Sequence, residues 1–182
     1  MEALQWNEVL ATGIKKIDKQ HRRLLDIVNQ LGAAIERGER SAADAALKEV
    51  VDYTVYHFSY EENLLERAGY DMLPLHKRVH ELFVRRVSQF QQRHAAGENV
   101  LQELHAMLAR WLVHHIQNDD RGYAPAVRQY LRQEALNNPE RYSNTQPSVL
   151  TETPPPAEGK SKKRTKLSLW ERLSGYVHDD RG

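Results

Sequence analysis

His57-Phe58-Ser59-Tyr60-Glu61-Glu62 is the stretch on which the reading of this chain turns. His57 and Glu61 are four residues apart, so on a helix they leave one face, stacked a turn apart. They continue the stripe Leu47, Val50, Thr54 and Leu64, which directs them toward a core. His76 and His80 repeat the spacing and run on into Phe83, Val87 and Phe90. In Trp111-Leu112-Val113-His114-His115-Ile116-Gln117-Asn118-Asp119-Asp120, imidazoles and then carboxylates follow a third apolar stripe. Ile17-Asp18-Lys19-Gln20-His21 adds one more imidazole near the N-terminus.

Helical spacing extends outward from each stretch. Ile17, Leu24, Leu25, Ile27, Val28, Leu31 and Ile35 mark a first helix over about 17–36, stopped by Gly38. Ser41 is placed to cap a second helix with Asp44 in its first turn, and that helix runs to Gly69. Pro74 suits the first turn of a third, ended by Gly97. A fourth begins near Asn99 and ends around Gly122, with a short extra helix over about 126–136. Residues 1–16 lack the period and read as an extended arm, with Trp6 and Ile14 packing on the helices. Short connections between helices of similar length predict an all-α, antiparallel up-down-up-down four-helix bundle.

The chain divides into three parts on this reading: the bundle over 1–137, a linker over 138–166 and a short amphipathic segment over 167–182. The linker begins rich in Ser, Thr and Pro, including Pro154-Pro155-Pro156, and turns basic at Lys160, Lys162, Lys163, Arg164 and Lys166. Leu169, Trp170, Leu173, Tyr176 and Val177 then form one apolar stripe, which reads either as a solubilising extension packing weakly on the bundle or as a docking peptide for a protein partner or an anionic membrane surface.

Composition removes several function classes. The 182 residues carry 26 basic and 25 acidic side chains, a balance that argues against nucleic-acid binding by the whole domain. With no cysteine, thiolate metal sites, disulfides and cysteine nucleophiles are excluded. The start lacks a basic region followed by an apolar one, and no run approaches the ~18 apolar residues of a membrane span. The expectation is a cytoplasmic protein.

A single histidine on a helix is ordinarily surface or a satisfied core residue, and His94, His105 and His178 are read so. Several inward imidazoles and carboxylates are different, because burying them without partners costs several kcal/mol. A shared metal centre resolves that cost. Imidazole and carboxylate without thiolate suit iron, manganese, zinc or copper better than calcium or magnesium. The donors exceed the needs of one tetrahedral zinc, and bridging carboxylates suggest two metals side by side. No Glu is followed by His three residues on, which disfavours the ferritin-like carboxylate class. His76-Lys77-Arg78-Val79-His80 likewise lacks the glutamate of a metalloprotease helix. A histidine-rich, carboxylate-bridged di-iron site remains. By helix geometry alone, His115 pairs most simply with Asp119.

These stretches together resemble the hemerythrins, and in particular the bacteriohemerythrins. The resemblance covers about residues 1–135 and rests on Leu4-Gln5-Trp6, Gly13-Ile14, Ile17-Asp18-Lys19-Gln20-His21, His57 to Glu62, His76 with His80, and Trp111 to Ile116. It implies one iron held by His76, His80 and His115, and a second held by His21 and His57 with a position open for dioxygen. Glu61 and Asp120 bridge the two, beside an oxo or hydroxo bridge derived from water. The family pattern selects Asp120 over Asp119, five residues after His115, with Tyr123 three further on. A π-bulge would accommodate that spacing. Leu24, Leu25, Phe58, Leu112 and Ile116 are expected to line a dry pocket, and Glu62 to be surface. The implied function is reversible dioxygen binding for storage, transport or delivery, not catalysis, since no acid/base pair or substrate motif stands apart from the ligands. Oxygen or redox sensing through the C-terminal segment, or removal of nitric oxide or peroxide, are the alternatives.

Overall fold

The computed structural model describes residues 2–139. Four helical rods account for most of them. The first three are α1 (Lys15–Glu36), α2 (Arg40–Arg67) and α3 (Leu73–Ala95). The fourth rod is α4 (Leu101–His115), a π turn over Ile116–Asp120, and α5 (Arg121–Asn137), joined without a break. The expectations placed on 140–182 lie outside the described residues.

Two apolar clusters show how the rods run. One gathers Leu24, Val28 and Leu31 of α1, Leu47, Val50 and Phe58 of α2, Phe83, Val87 and Phe90 of α3, and Leu104, Leu108, Leu112 and Ile116 of the fourth rod. The other gathers Ile14, Ile17, Leu64, Leu65, Tyr123, Ala124 and Val127. Along α1 the second cluster precedes the first; along α2 the order reverses, and along the fourth rod the first again precedes the second. Adjacent rods therefore alternate in direction, as short connections require. Every inward His, Glu and Asp of the sequence pattern falls between the two clusters.

The ends of the helices follow backbone chemistry. Gly38, with φ of 68°, lets the Glu39 amide reach back to the Ala34 carbonyl at 3.0 Å and closes α1. That closure delivers the chain directly into α2, which begins at Arg40 with no side-chain cap. Ser41, expected to cap α2, instead lies within its first turn. Asp44 pairs across the bundle with His94 at 2.7 Å. Pro74 occupies the first turn of α3 as anticipated.

The arm is more ordered than its composition suggests. A 3-10 turn over Glu8–Leu10 interrupts it, and α1 starts two residues before the expected Ile17. Asp18 fastens the junction. Its carboxylate accepts hydrogen bonds from the Thr12 amide (2.8 Å), the Thr12 hydroxyl (2.7 Å) and the Gly13 amide (3.1 Å). The Arg22 guanidinium sits 4.3 Å above the Trp6 ring, and Ile14 is buried.

The largest departure from the expected layout is in the fourth rod. The sequence pattern places its end around Gly122, with a separate short helix after it. Instead the helix runs through Gly122 and Pro125, because Tyr123, Ala124 and Val127 are buried in the second cluster. Packing overrides the local cost of glycine and proline. Among the described residues, no helix is long and apolar enough to cross a membrane.

Candidate metal centre

Seven side chains from all four rods converge between the clusters. His21 comes from α1, His57 and Glu61 from α2, His76 and His80 from α3, and His115 and Asp120 from the ends of the fourth rod's α and π segments. None is more than 5 % exposed. They form two groups: Glu61, His76, His80 and His115, and beside them His21, His57 and Asp120.

The carboxylates face both groups. Glu61 Oε1 lies 3.5 Å from His76 Nε2, while its Oε2 lies 3.4 Å from His80 Nε2 and 3.6 Å from His57 Nε2. Asp120 Oδ1 is 3.1 Å from His115 Nε2 and 3.7 Å from His76 Nε2, and its Oδ2 is 3.2 Å from His21 Nε2. The π turn makes this possible. In a regular helix the residue four after His115 shares its face most closely, and the wider turn brings the fifth, Asp120, inward instead. Asp119 stays at the rim, one-third exposed, and accepts a hydrogen bond from His115 Nδ1 at 2.8 Å.

Three rim contacts were not foreseen from the sequence. Glu62, read as surface, lies against α3, where its Oε1 accepts a hydrogen bond from His80 Nδ1 at 2.8 Å and its side chain is 21 % exposed. One residue beyond Glu61 it is rotated about 100° around α2, which turns it toward α3 and not to solvent. Gln20 is buried, and its Oε1 accepts from His57 Nδ1 at 3.1 Å. Tyr123 packs edge-on to His76. The Gln20 contact could have been suspected from its place beside His21; the Glu62 contact depends on how α3 is rotated.

Aromatic rings hold the imidazole planes. Phe58 stacks on His80 at 3.6 Å, and Trp111 stacks on His115 at 4.3 Å with Phe83 behind it at 3.8 Å. An apolar cavity of about 10 Å³ adjoins these rings, lined in part by Leu24, Phe58, Leu108, Trp111 and Leu112. Leu25 and Ile116, expected beside them, are buried in the surrounding packing and do not line it.

The electrostatics of the seven residues fit cations. Burial lowers the pKa of His21 to about 4 and of His57 well below the usual range, despite the nearby charge of Glu61. His115 is lowered too, chiefly by burial. These are neutral imidazoles at pH 7, the form that binds metal. In His80, burial pushes the pKa down but Glu61 and Glu62 outweigh it and raise it. Burial and then the charge of Glu61 push Asp120 well up. Glu61 itself is held well down by the histidines around it, against the effect of burial. Tyr123 ionisation is pushed well up by burial and by both carboxylates.

Hydrogen bonding inside the cluster is incomplete in a telling way. Both oxygens of Glu61 and of Asp120, both nitrogens of His21, and Nε2 of His76 are buried without hydrogen-bond partners. His80 and His115 each donate outward through Nδ1, so their Nε2 lone pairs face one another across 3.0 Å. A shared proton or cation relieves that opposition. Buried polar atoms in native proteins are otherwise almost always paired.

An all-helical bundle with imidazoles and shared carboxylates at its waist defines a metal-binding four-helix protein. Residues 12–127 match the model of the hemerythrin family, the hemerythrin HHE cation-binding domain. The bacteriohemerythrin of Pseudomonas aeruginosa strain PAO1 is 48 % identical over 128 residues, spanning 70 % of this chain and 84 % of that protein. That of Stenotrophomonas maltophilia strain R551-3 is 46 % identical over 133 residues, 73 % of this chain and 87 % of that protein. A wild-type hemerythrin crystal structure superposes with a TM-score of 0.66 at 30 % identity, covering 69 % of this chain and 98 % of the other. This chain belongs to the hemerythrin family, which binds a non-heme di-iron centre with dioxygen as its ligand.

Proposed function

We propose that this protein binds dioxygen reversibly as a store or carrier in the cytoplasm, and that the seven buried residues hold the iron pair. In this reading His76, His80 and His115 serve one iron, His21 and His57 the other, and Glu61 and Asp120 both. The observation that carries it is the split of five imidazoles, three and two, around two carboxylates that each lie within 3.7 Å of histidines of both groups. An iron pair held by these residues would supply the electrons that dioxygen takes up on binding.

What the chain supplies is geometry and dryness. Gln20, Glu62 and Asp119 accept from the outward nitrogens of His57, His80 and His115, which keeps each Nε2 free to face the centre. Phe58 and Trp111 fix the ring planes, and with Leu24 and Leu112 they wall the apolar cavity against water. Fewer imidazoles on the His21 side leave that side the more open to a small ligand.

Metal analysis together with a visible spectrum taken under argon and then in air tests the reading. The expected result is two irons per chain and a new absorption that argon reverses. One ion per chain, or no change in air, overturns it. A persistent oxygenated form marks a carrier, whereas rapid conversion to the oxidised form marks a sensor or an oxidase.

A further inference from the structure

Behind the two metal pockets the protein places different charges. In the three-histidine pocket, His80 Nδ1 donates to the Glu62 carboxylate and His115 Nδ1 donates to the Asp119 carboxylate, each at 2.8 Å. In the two-histidine pocket, His57 Nδ1 donates to the neutral amide oxygen of Gln20 at 3.1 Å, and His21 Nδ1 has no partner. The shared carboxylates Glu61 and Asp120 face both pockets, so the two differ in what their outward histidine nitrogens are bonded to.

We infer that Glu62 and Asp119 are positioning residues that make the three-histidine pocket the tighter of the two, so that the chain takes up its metals in a fixed order and releases them in reverse. A carboxylate on the outward nitrogen makes an imidazole more basic and a stronger ligand, and fixes its tautomer and ring angle. Two such partners also bring two carboxylates to the edge of the site, Glu62 with Lys77 3.9 Å from its other oxygen and Asp119 one-third exposed. The amide of Gln20 orients His57 without adding charge. His21 has no hydrogen bond at its outward nitrogen and packs edge-on against His57, its ring centroid 4.8 Å away. The two-histidine pocket is thus the last filled and the first emptied, which leaves it the more adaptable side for an incoming ligand.

This inference rests on the proposed di-metal reading, and one titration separates the failure of either. The full-length protein, stripped of metal, is titrated anaerobically with Co²⁺ and followed by its visible bands and by calorimetry. Two resolved binding steps are expected for the wild type. Fewer than two ions bound overturns the di-metal reading itself. Glu62→Gln and Asp119→Asn, which keep shape and an acceptor oxygen, should each weaken the tighter step about tenfold and leave the weaker step in place. Gln20→Glu should strengthen the weaker step and narrow the gap. Circular dichroism of each variant checks that the fold is retained, and Glu62→Asp, which keeps the charge, should recover part of the lost affinity. Two ions bound with both steps weakened equally by the Glu62 and Asp119 replacements, or with neither step changed, overturns the inference while leaving the di-metal site standing.

Discussion

Two pairs of adjacent carboxylates, Glu61-Glu62 on α2 and Asp119-Asp120 on the fourth rod, end in the same arrangement by different routes. Each pair sends one member into the polar layer and rests the other on the outward nitrogen of a histidine. On α2 the inner member comes first and a regular helix suffices, since His57 and Glu61 share a face at four residues. On the fourth rod the inner member comes second, five residues after His115, and the backbone widens into a π turn to bring it in. Identical chemistry in sequence therefore says little about which neighbour enters the site. The local pitch of the backbone makes the choice.

The comparison can be broken most severely by changing the length of the turn. Inserting one alanine after Asn118 adds a further residue to the turn and rotates everything beyond it by about 100°. Asp120 and the buried Tyr123 then leave their faces. The expected outcome is loss of bound iron and destabilisation by about 3 kcal/mol, or about 10 °C in melting temperature, read by metal analysis and a thermal melt. Retention of two irons would show that the turn does not select Asp120.

Replacing the inner members comes next. Asp120→Ala or Glu61→Ala should abolish the paired centre, with fewer than two irons retained after desalting. The outer members make the contrast: Asp119→Ala and Glu62→Ala should keep two irons and lose affinity by about tenfold each. If loss of the pair follows Asp119→Ala and not Asp120→Ala, the assignment of inner and outer is reversed. The smallest effect belongs to the region beyond the bundle. Truncation after Asn138 should leave the air-dependent spectrum unchanged, and its disappearance would make residues 139–182 part of the site's support.

Much of this arrangement is legible in the residues because it rests on period. His57 with Glu61 is four apart on a stripe with buried Leu47, Val50 and Thr54, and His76 with His80 is four apart on one that continues into buried Phe83, Val87 and Phe90. Gly38 and Gly97 follow the ends of α1 and α3 as expected, and both have positive φ. What escaped depends on other rods. The contact of Glu62 with His80 is set by the rotation of α3 against α2, which no local pattern encodes. The start of α2 is fixed by the chain reversal at Gly38 and not by the hydroxyl of Ser41. The helix persists through Gly122 and Pro125 because Tyr123 and Val127 have a buried cluster to enter. The π turn left one trace, a histidine-to-carboxylate spacing of five where four would be simpler.

The polar layer between the two apolar clusters also has a consequence for motion. Each cluster is a dry zip that fastens one end of the bundle, while the waist between them is made of charged and hydrogen-bonding groups with less apolar contact to hold it. Local opening is cheapest where such contact is thinnest. Amide hydrogens around His57 to Glu61 and His115 to Asp120 should therefore exchange faster than those of Leu24 to Leu31 when metal is removed, and slow down when it is restored. The ends keep the fold together as the waist loosens, so ions can enter and leave a site that is closed on all sides without the bundle coming apart.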